Sequence, residues 1–300
     1  RTFGCESGQP TFRYSLIDGV KEGFLINPIV VDARTEVTTQ LLSDKGYIVN
    51  QIDTNANEGS EEYFHRDYEK KFFSEDTNRV FCQTFLENAL LDPISKEIGK
   101  TIIFTVSQNH AAKITQLLNQ LADKLYPGKY NSDFAIQVTS FISDAQQFSI
   151  NFANNNLSGH SSFLPEYKTS KTRVCVTVGM MTTGYDCQDI LNICLMRPIF
   201  SPTDFIQIKG RGTRKFNFTE LLFDDELKPL INEPEKKEFK LFDFFANCEY
   251  FEDKFNYDEI IKLPKMSMGG GNDEASDSPS HDASGYDNPS PDKLTVISDT

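Results

Sequence analysis

KTRVCVTVGMMTTGYDCQDILNICLMRPIFSPTDFIQIKGRGTRK, residues Lys171 to Lys215, holds two short apolar runs joined by a turn-rich link. Strands buried on both faces of a parallel sheet read as continuous apolar runs rather than as alternation. Val174-Cys175-Val176-Thr177-Val178, within a predicted strand over 173–178, and the run Ile190 to Met196 both have this character. Between them lies Thr182-Thr183-Gly184-Tyr185-Asp186, where Gly184 permits a tight turn at a strand's carboxyl end. The periodicity then predicts a helix over 203–214, ending in Gln207-Ile208-Lys209-Gly210-Arg211-Gly212-Thr213-Arg214. On such a helix Arg211 and Arg214 share one face and can point at a polyphosphate. Gln207, one turn earlier, lies nearby, and Gly210 lets backbones approach closely.

The same pattern extends outward in both directions. Lys100 to Val106, KTIIFTV, is a β-branched run bounded by Gly99 and Ser107-Gln108-Asn109, and it predicts another buried strand. His110 to Leu125 places Ala111, Ile114, Leu117, Leu118 and Leu121 on one helical face. Ala135 to Thr139 reads as a strand, Ala145 to Phe152 as a short helix, and residues 153–170 as a loop. Upstream, Leu86, Leu90 and Leu91 form the apolar face of a predicted helix that ends near Asp92-Pro93. Residues 50–62 are polar and turn-rich, Ile29 to Val31 is a short strand, and Tyr14 to Leu25 is helical by spacing. The aromatic-rich stretch 239–257 adds a further strand or helix and supplies core. Such alternation of strands and helices implies an α/β fold: a parallel sheet with helices on both faces.

Composition narrows the function. The chain has 300 residues and a formal net charge of −14, which argues against a simple nucleic-acid-binding domain. The acidic excess is uneven. Residues 216–300 hold 20 acidic and 8 basic side chains, whereas residues 1–215 hold 24 and 22, so local basic patches fit in the first part. From Met266 onward the sequence is rich in Gly, Ser, Asp and Pro, the composition of a flexible acidic tail. No apolar run reaches the roughly 18 residues of a membrane span, so no membrane partner is expected. The N-terminus lacks a signal peptide's apolar core and a starting Met, as in a fragment of a longer chain. The six cysteines form no CxxC pair and read as buried reduced thiols of a cytoplasmic protein. The four histidines lack metal-ligand spacing, so no metal site is expected. His110, near a helix start, reads as a packing or capping residue.

Two phosphate or metal look-alikes are set aside. Gly99-Lys100-Thr101 matches the end of a P-loop, but Ile94 stands where that motif needs Gly, and the triplet precedes a strand instead of following one. Leu221-Leu222-Phe223-Asp224-Asp225-Glu226 has the look of a metal-binding strand end yet reads as an exposed acidic turn.

QxxGRxxR at Gln207–Arg214 resembles the sixth motif of superfamily 2 helicases and translocases, and Thr182–Asp186 resembles the fifth. Ser107-Gln108-Asn109 after its strand resembles the fourth, with N-capping as the competing explanation. This resemblance implies a RecA-like (P-loop NTPase-type) sheet, the second of two motor lobes, with the phosphate cradle in an upstream lobe. It implies that Arg211, Arg214 and Gln207 act on the terminal phosphate of ATP with Mg2+, and that Gly184, Asp186 and Gly210 shape the nucleotide site. Ser107, Gln108, Thr139, Thr182 and Thr183 are then the candidates for contact with DNA phosphates. Asp186 there accepts a ribose hydroxyl or orients an arginine; in the alternative it simply caps a turn.

Within that superfamily the phrases GMMTTGYDCQDILNICLMRPIFSPTDFIQIKGRGTRK (179–215), KLFDFFANCEYF (240–251) and FRYSLIDGVKEGFLINP (12–28) resemble the restriction (R) subunit of type I restriction–modification enzymes. Cys187-Gln188 after Asp186 departs from the commoner TGFDxP pattern. The resemblance implies a lead-in segment over 1–30, a second RecA-like domain over 31–262 and a flexible acidic linker over 263–300. It also implies double-stranded DNA as substrate, and methyltransferase and specificity subunits as partners. Two other readings stand beside it: the same lobe of a type III restriction or repair helicase, and a RecA-like binding module without catalysis.

Overall fold

The computed structural model describes residues 16–34, 74–160, 166–182, 184–199 and 201–254. The expected loop at 50–62, the residue Thr183 and the acidic tail lie outside the described residues.

Six parallel strands form one sheet: β1 (Pro28–Asp32), β2 (Thr101–Thr105), β3 (Ala135–Gln137), β4 (Val174–Thr177), β5 (Asn192–Met196) and β6 (Phe239–Asp243). Their spatial order is β1-β6-β5-β2-β4-β3. Every pairing is parallel. Strands β2, β4 and β5 are buried along their whole length, which explains their unbroken apolar sequence. β1 begins at Pro28, within the expected lead-in segment, and pairs with β6 from its first residue.

Successive side chains of a strand point to opposite faces, and the core divides accordingly. Ile103, Val174, Val176, Cys194, Met196 and Phe242 pack on one side. They meet α2 (Glu75–Asn88) and α3 (Gln108–Leu125) through Phe81, Cys82, Phe85, Ile114 and Leu118. Ile102, Phe104, Cys175, Ile193, Leu195 and Leu241 pack on the other side. There they meet α4 (Ala145–Ala153), α5 (Pro202–Gly210) and α6 (Asn247–Lys254) through Phe152, Phe205, Ile208 and Phe251. A short helix, α1 (Leu16–Lys21), precedes β1. The molecule is thus the expected α/β fold, a parallel sheet with helices on both faces.

Some boundaries differ from expectation. α2 ends at Asn88, with Ala89 extended as its cap. Its buried face is Phe81, Cys82, Phe85 and Leu86; Leu90 and Leu91 follow the helix, and Leu91 is exposed. The physical reason is the hairpin-like turn that Asp92 builds: its carboxylate accepts from the backbone N–H groups of Ile94 and Ser95. Beyond it Leu91 bridges Ile98.

The helix expected over 203–214 stops at Gly210, with Arg211 as its cap. Gly210 and Gly212 are the stop signal there, since glycine is a poor helix former and a common residue at helix ends. Arg211 and Arg214 therefore do not share a helical face.

Buried polar networks tie loops beneath the sheet. Lys100 pairs with Asp189 at 2.9 Å, with Asn155 Nδ2 donating to the other carboxylate oxygen at 3.0 Å. The Gly99-Lys100-Thr101 lysine is thus spent on structure. Arg173, fully buried, donates to Ile98 O at 2.7 Å and lies 3.6 Å from Asp92, which also accepts from Tyr167. The acidic segment at Asp224–Glu226 is a surface turn, where Asp225 pairs with Lys228. The five described cysteines are buried free thiols.

Candidate functional site

The candidate residues fall at opposite edges of the sheet. Ser107 and Gln108 follow β2, Thr139 follows β3, and Met180–Thr182 follow β4, so these loops meet at the carboxyl edge of three neighbouring strands. The arginine turn lies at the amino edge. There the position of a Cβ on Gly212 is occupied by the ring of Phe239, the first residue of β6. Ile26, just before β1, donates its N–H to Thr213 O at 2.8 Å.

Like every crossover in a parallel sheet, the connection after β4 runs from the carboxyl edge to the amino edge. The connection from β4 to β5, residues 178–191, carries no helix among its described residues. It leaves the carboxyl edge at Met180–Thr182 and ends at the amino edge, where Asp189 pairs with Lys100 and Leu191 N–H bonds Lys100 O. Gly184-Tyr185-Asp186 sits part-way along it, seven residues past the end of β4, and not at a strand end as expected. Gly184 adopts φ +69°, a left-handed conformation that a side chain would strain.

This segment grips the arginines. Arg211 donates to the backbone carbonyl of Tyr185, and its Nε donates to Gln207 O at 3.2 Å. Arg214 Nε lies 3.4 Å from Asp186 Oδ1, an exposed ion pair. Asp186 is thus paired with Arg214 at the surface. Burial, with Arg214 close by, lowers the pKa of Arg211 from its ordinary value, against an opposing pull from Asp186. An arginine still keeps its charge under such a shift. Arg211 is held through carbonyls, and no carboxylate among the described residues is bonded to it directly.

Gly210 does not serve the close approach expected of it: a Cβ there meets nothing within 4 Å. The close approach belongs to Gly212, where a Cβ falls 2.2 Å from the Phe239 ring. Gly210 instead ends the helix, and its carbonyl accepts from Thr213 Oγ1 at 3.0 Å.

At the carboxyl edge, Ser107 caps α3 by accepting from His110 N–H at 3.1 Å. Gln108 Nε2 donates to Ser140 Oγ at 3.2 Å, and its Oε1 accepts from Thr139 Oγ1 at 3.0 Å. Thr139 is 1% exposed, so its hydroxyl holds Gln108 and does not face solvent. Thr182 is also buried, and its Oγ1 has no hydrogen-bond partner among the described residues. Of the four described DNA candidates, Ser107 and Gln108 are the ones left partly exposed.

His110 is structural. Its Nε2 meets Asn78 Oδ1 at 3.1 Å while Nδ1 accepts from Val106 N–H at 3.4 Å, a pairing that suits the neutral ring. Burial, then the nearby Lys113, pushes it down to about 3.

Sequence reasoning missed Lys236. Its ammonium donates to Gly212 O at 2.8 Å and to Gln188 O at 3.1 Å. In the sequence Lys236 and Lys237 are indistinguishable neighbours, yet Lys237 forms a surface pair with Glu233 while Lys236 is buried. Among the described residues no group of three or more His, Cys, Asp or Glu is placed to hold a metal ion. No described helix is long and apolar enough to cross a membrane.

No protein-family model matches the chain. It is 27% identical over 271 residues to the type I restriction enzyme EcoKI endonuclease subunit of Escherichia coli K12, a match covering 87% of this chain and 20% of that protein. It is 26% identical over 209 residues to the EcoAI endonuclease subunit of Escherichia coli, covering 69% and 23%. The chain is similar in sequence to type I restriction endonuclease subunits. It spans about a fifth of the length of these relatives. Among solved structures it is similar to a fragment of an HsdR subunit of a type I restriction enzyme from Vibrio vulnificus, with a TM-score of 0.44 and 23% identity over 86% of this chain and 38% of that one. It is also similar to the ATP-dependent type ISP restriction–modification enzyme LlaBIII bound to DNA, with a TM-score of 0.40 and 15% identity over 77% of this chain and 13% of that one.

Proposed function

We propose that the chain is the second motor lobe of an ATP-dependent DNA translocase, within the endonuclease subunit of a type I restriction enzyme. The observation that carries this is the connection 178–191. It holds Arg211 and Arg214 at the amino edge through Tyr185 O and Asp186, and it begins at the carboxyl edge of β4, which lies between the strands that lead to Gln108 and to Ser140. A motor needs one element in contact with both the nucleotide and the track, so that a change at one is felt at the other.

The arginines suit ATP and its Mg2+ in one respect only. Arg211 presents a cation whose bonds are to carbonyls, and Arg214 presents an exposed one. Charge building on the terminal phosphate in the transition state is what such a pair stabilises. Lys100 is committed to Asp189, so Gly99-Lys100-Thr101 does not cradle a phosphate, and in this reading the cradle and the metal-holding carboxylate belong to another lobe. ATP bound between the lobes supplies the free energy. This chain supplies the positive charge, with Gln207 placed one turn before Arg211.

Ser107 and Gln108, backed by Thr139 and Ser140, suit the phosphates of a DNA strand. Double-stranded DNA, methyltransferase and specificity subunits, and a cytoplasmic location belong to the same proposal. Similarity to EcoKI and EcoAI subunits favours a type I restriction enzyme over a type III or repair helicase.

The test is ATP turnover by the intact subunit in its complex, with and without target duplex, comparing wild type with Arg211→Ala. The expected result is loss of DNA-stimulated turnover by about 10³-fold or more, with folding and ATP binding retained. Unchanged turnover would remove the arginines from the reaction and favour the non-catalytic binding module.

A further inference from the structure

Among the described residues, three polar contacts join the connection 178–191 to the arginine turn, and they form a graded series from surface to interior. Outermost is the exposed Arg214–Asp186 pair. Next is Arg211, half-buried, on Tyr185 O. Innermost is Lys236, whose ammonium bridges Gly212 O and Gln188 O. The two outer contacts use the side chains that are proposed to leave for the nucleotide. Of these three, the inner one remains when they do.

We propose that Lys236 is the positioning residue of the arginine turn: it ties the backbone immediately after Arg211 to the connection at Gln188, so that the guanidinium is aimed independently of the contacts it gives up.

Four further observations support this. Lys236 is itself held at both ends. Its backbone N–H bonds Phe216 O at 2.8 Å beside the Asn217–Glu235 bridge, and its side chain is 5% exposed with the ammonium over the Phe239 ring. Gly212, whose carbonyl it binds, is pressed against that same ring. The next carbonyl, Thr213 O, is bound by Ile26 N–H. The turn thus has consecutive carbonyls fixed from two sides, while its arginine side chains point elsewhere. Lastly, the ammonium is an expensive choice for a purely structural clamp. Burial pushes its pKa down to about 8, with Asp189 opposing, and its bonded partners are neutral carbonyls in place of a carboxylate. A cation held on backbone carbonyls a residue from Arg211 makes sense where geometry matters more than stability.

This inference rests on the arginines acting at a nucleotide, so its test separates the two. The intact subunit in its complex is assayed for ATP turnover with target duplex as wild type, Lys236→Met, Arg211→Ala and the double variant. Active-site concentration is normalised by bound nucleotide, and folding is checked by thermal melting. A misplacement near 1 Å costs about 10²-fold in rate, so Lys236→Met is expected to lower kcat by about 10- to 100-fold with KM for ATP changed less than about threefold. The double variant is expected to match Arg211→Ala within about twofold, because a residue acting through Arg211 has nothing left to position. A merely structural Lys236 would give losses that multiply, and that result, or a wild-type kcat for Lys236→Met, would overturn the inference. Where Lys236→Met does not fold, Lys236→Gln, which keeps a donor for one carbonyl, is expected to give a partial loss with the same non-additivity; additive losses overturn it equally. If Arg211→Ala itself turns over normally, the nucleotide reading fails first, and with it the role given to Lys236.

Discussion

Two glycines two residues apart provide a sharp test of how the arginine turn is built. A methyl group on Gly212 would fall 2.2, 2.3 and 2.6 Å from Phe239 Cδ2, Cε2 and Cγ. Phe239 is fully buried at the start of β6, between the lysine clamp and the core, so its ring has nowhere to retreat. Overpacking of this kind costs about 1–3 kcal/mol, taken up as movement of the turn away from the ring. For a domain of this size that is a fall in Tm of roughly 2–12 °C. A methyl group on Gly210 meets nothing within 4 Å, and its backbone is helical. Gly210→Ala should therefore be neutral or stabilising by up to about 1 kcal/mol, from reduced freedom of the unfolded chain. The assay is thermal melting of the two variants of this chain side by side, followed by ATP turnover in the intact subunit. Gly212→Ala is expected to lose both Tm and turnover, and Gly210→Ala neither. Equal Tm values for the two would refute the packing of the turn against Phe239.

Other expectations follow from the buried charges and the surface pair. Lys100→Met leaves Asp189 charged and buried, so it should cost about 3–5 kcal/mol in urea unfolding while leaving the nucleotide affinity of the folded subunit unchanged; a selective loss of ATP binding would revive the P-loop reading. His110 has a folded pKa near 3, below its unfolded value, so the unfolded state gains the proton first as pH falls. Stability from this side chain is present above about pH 6.5 and declines toward pH 3 by up to about 1.4 kcal/mol per pH unit. A His110→Gln variant should flatten that part of the stability–pH curve, and an unchanged slope would contradict a buried neutral ring. Arg214→Ala removes an exposed pair worth about 0–1 kcal/mol, so Tm should hardly move while ATP turnover falls; a large Tm loss would mean that Asp186–Arg214 is structural. Gln108→Ala should weaken duplex binding by roughly tenfold, the loss of about 1.4 kcal/mol from one phosphate contact, in a fluorescence anisotropy titration; unaltered affinity would leave Gln108 as a loop brace.

How much of this was legible in the sequence depended on the range of the interaction that settled each feature. β2, β4 and β5 were readable because both faces of each are buried, so burial wrote itself into consecutive residues. α3 was readable for the same local reason, through Ala111, Ile114, Leu118 and Leu121 on one face. Errors arose where a local pattern met a tertiary constraint. The leucines at 90 and 91 continue a helical spacing, but Asp92 turns the chain. Arg211 and Arg214 also keep helical spacing, yet two glycines beside Arg211 end the helix, a stop signal present in the sequence and outweighed there by periodicity. Gly210 and Gly212 could not be told apart, because the neighbour that distinguishes them is the Phe239 ring. Lys100–Asp189, Arg173–Ile98 and Lys236–Gly212 are pairings across 89, 75 and 24 residues, and no spacing rule reaches them. The arginine turn was therefore visible as a motif, while the lysine that holds it was not.

The central claim is that Arg211 acts on the transition state of ATP hydrolysis. It is tested most directly by the affinity of the intact subunit, bound to target duplex, for ATPγS and for ADP with aluminium fluoride. Arg211→Ala should leave ATPγS binding within about threefold of wild type while weakening the aluminium fluoride complex by about 10³-fold, since an arginine of this kind counts only where phosphoryl charge has developed. Equal affinities for the mimic in wild type and variant would contradict it.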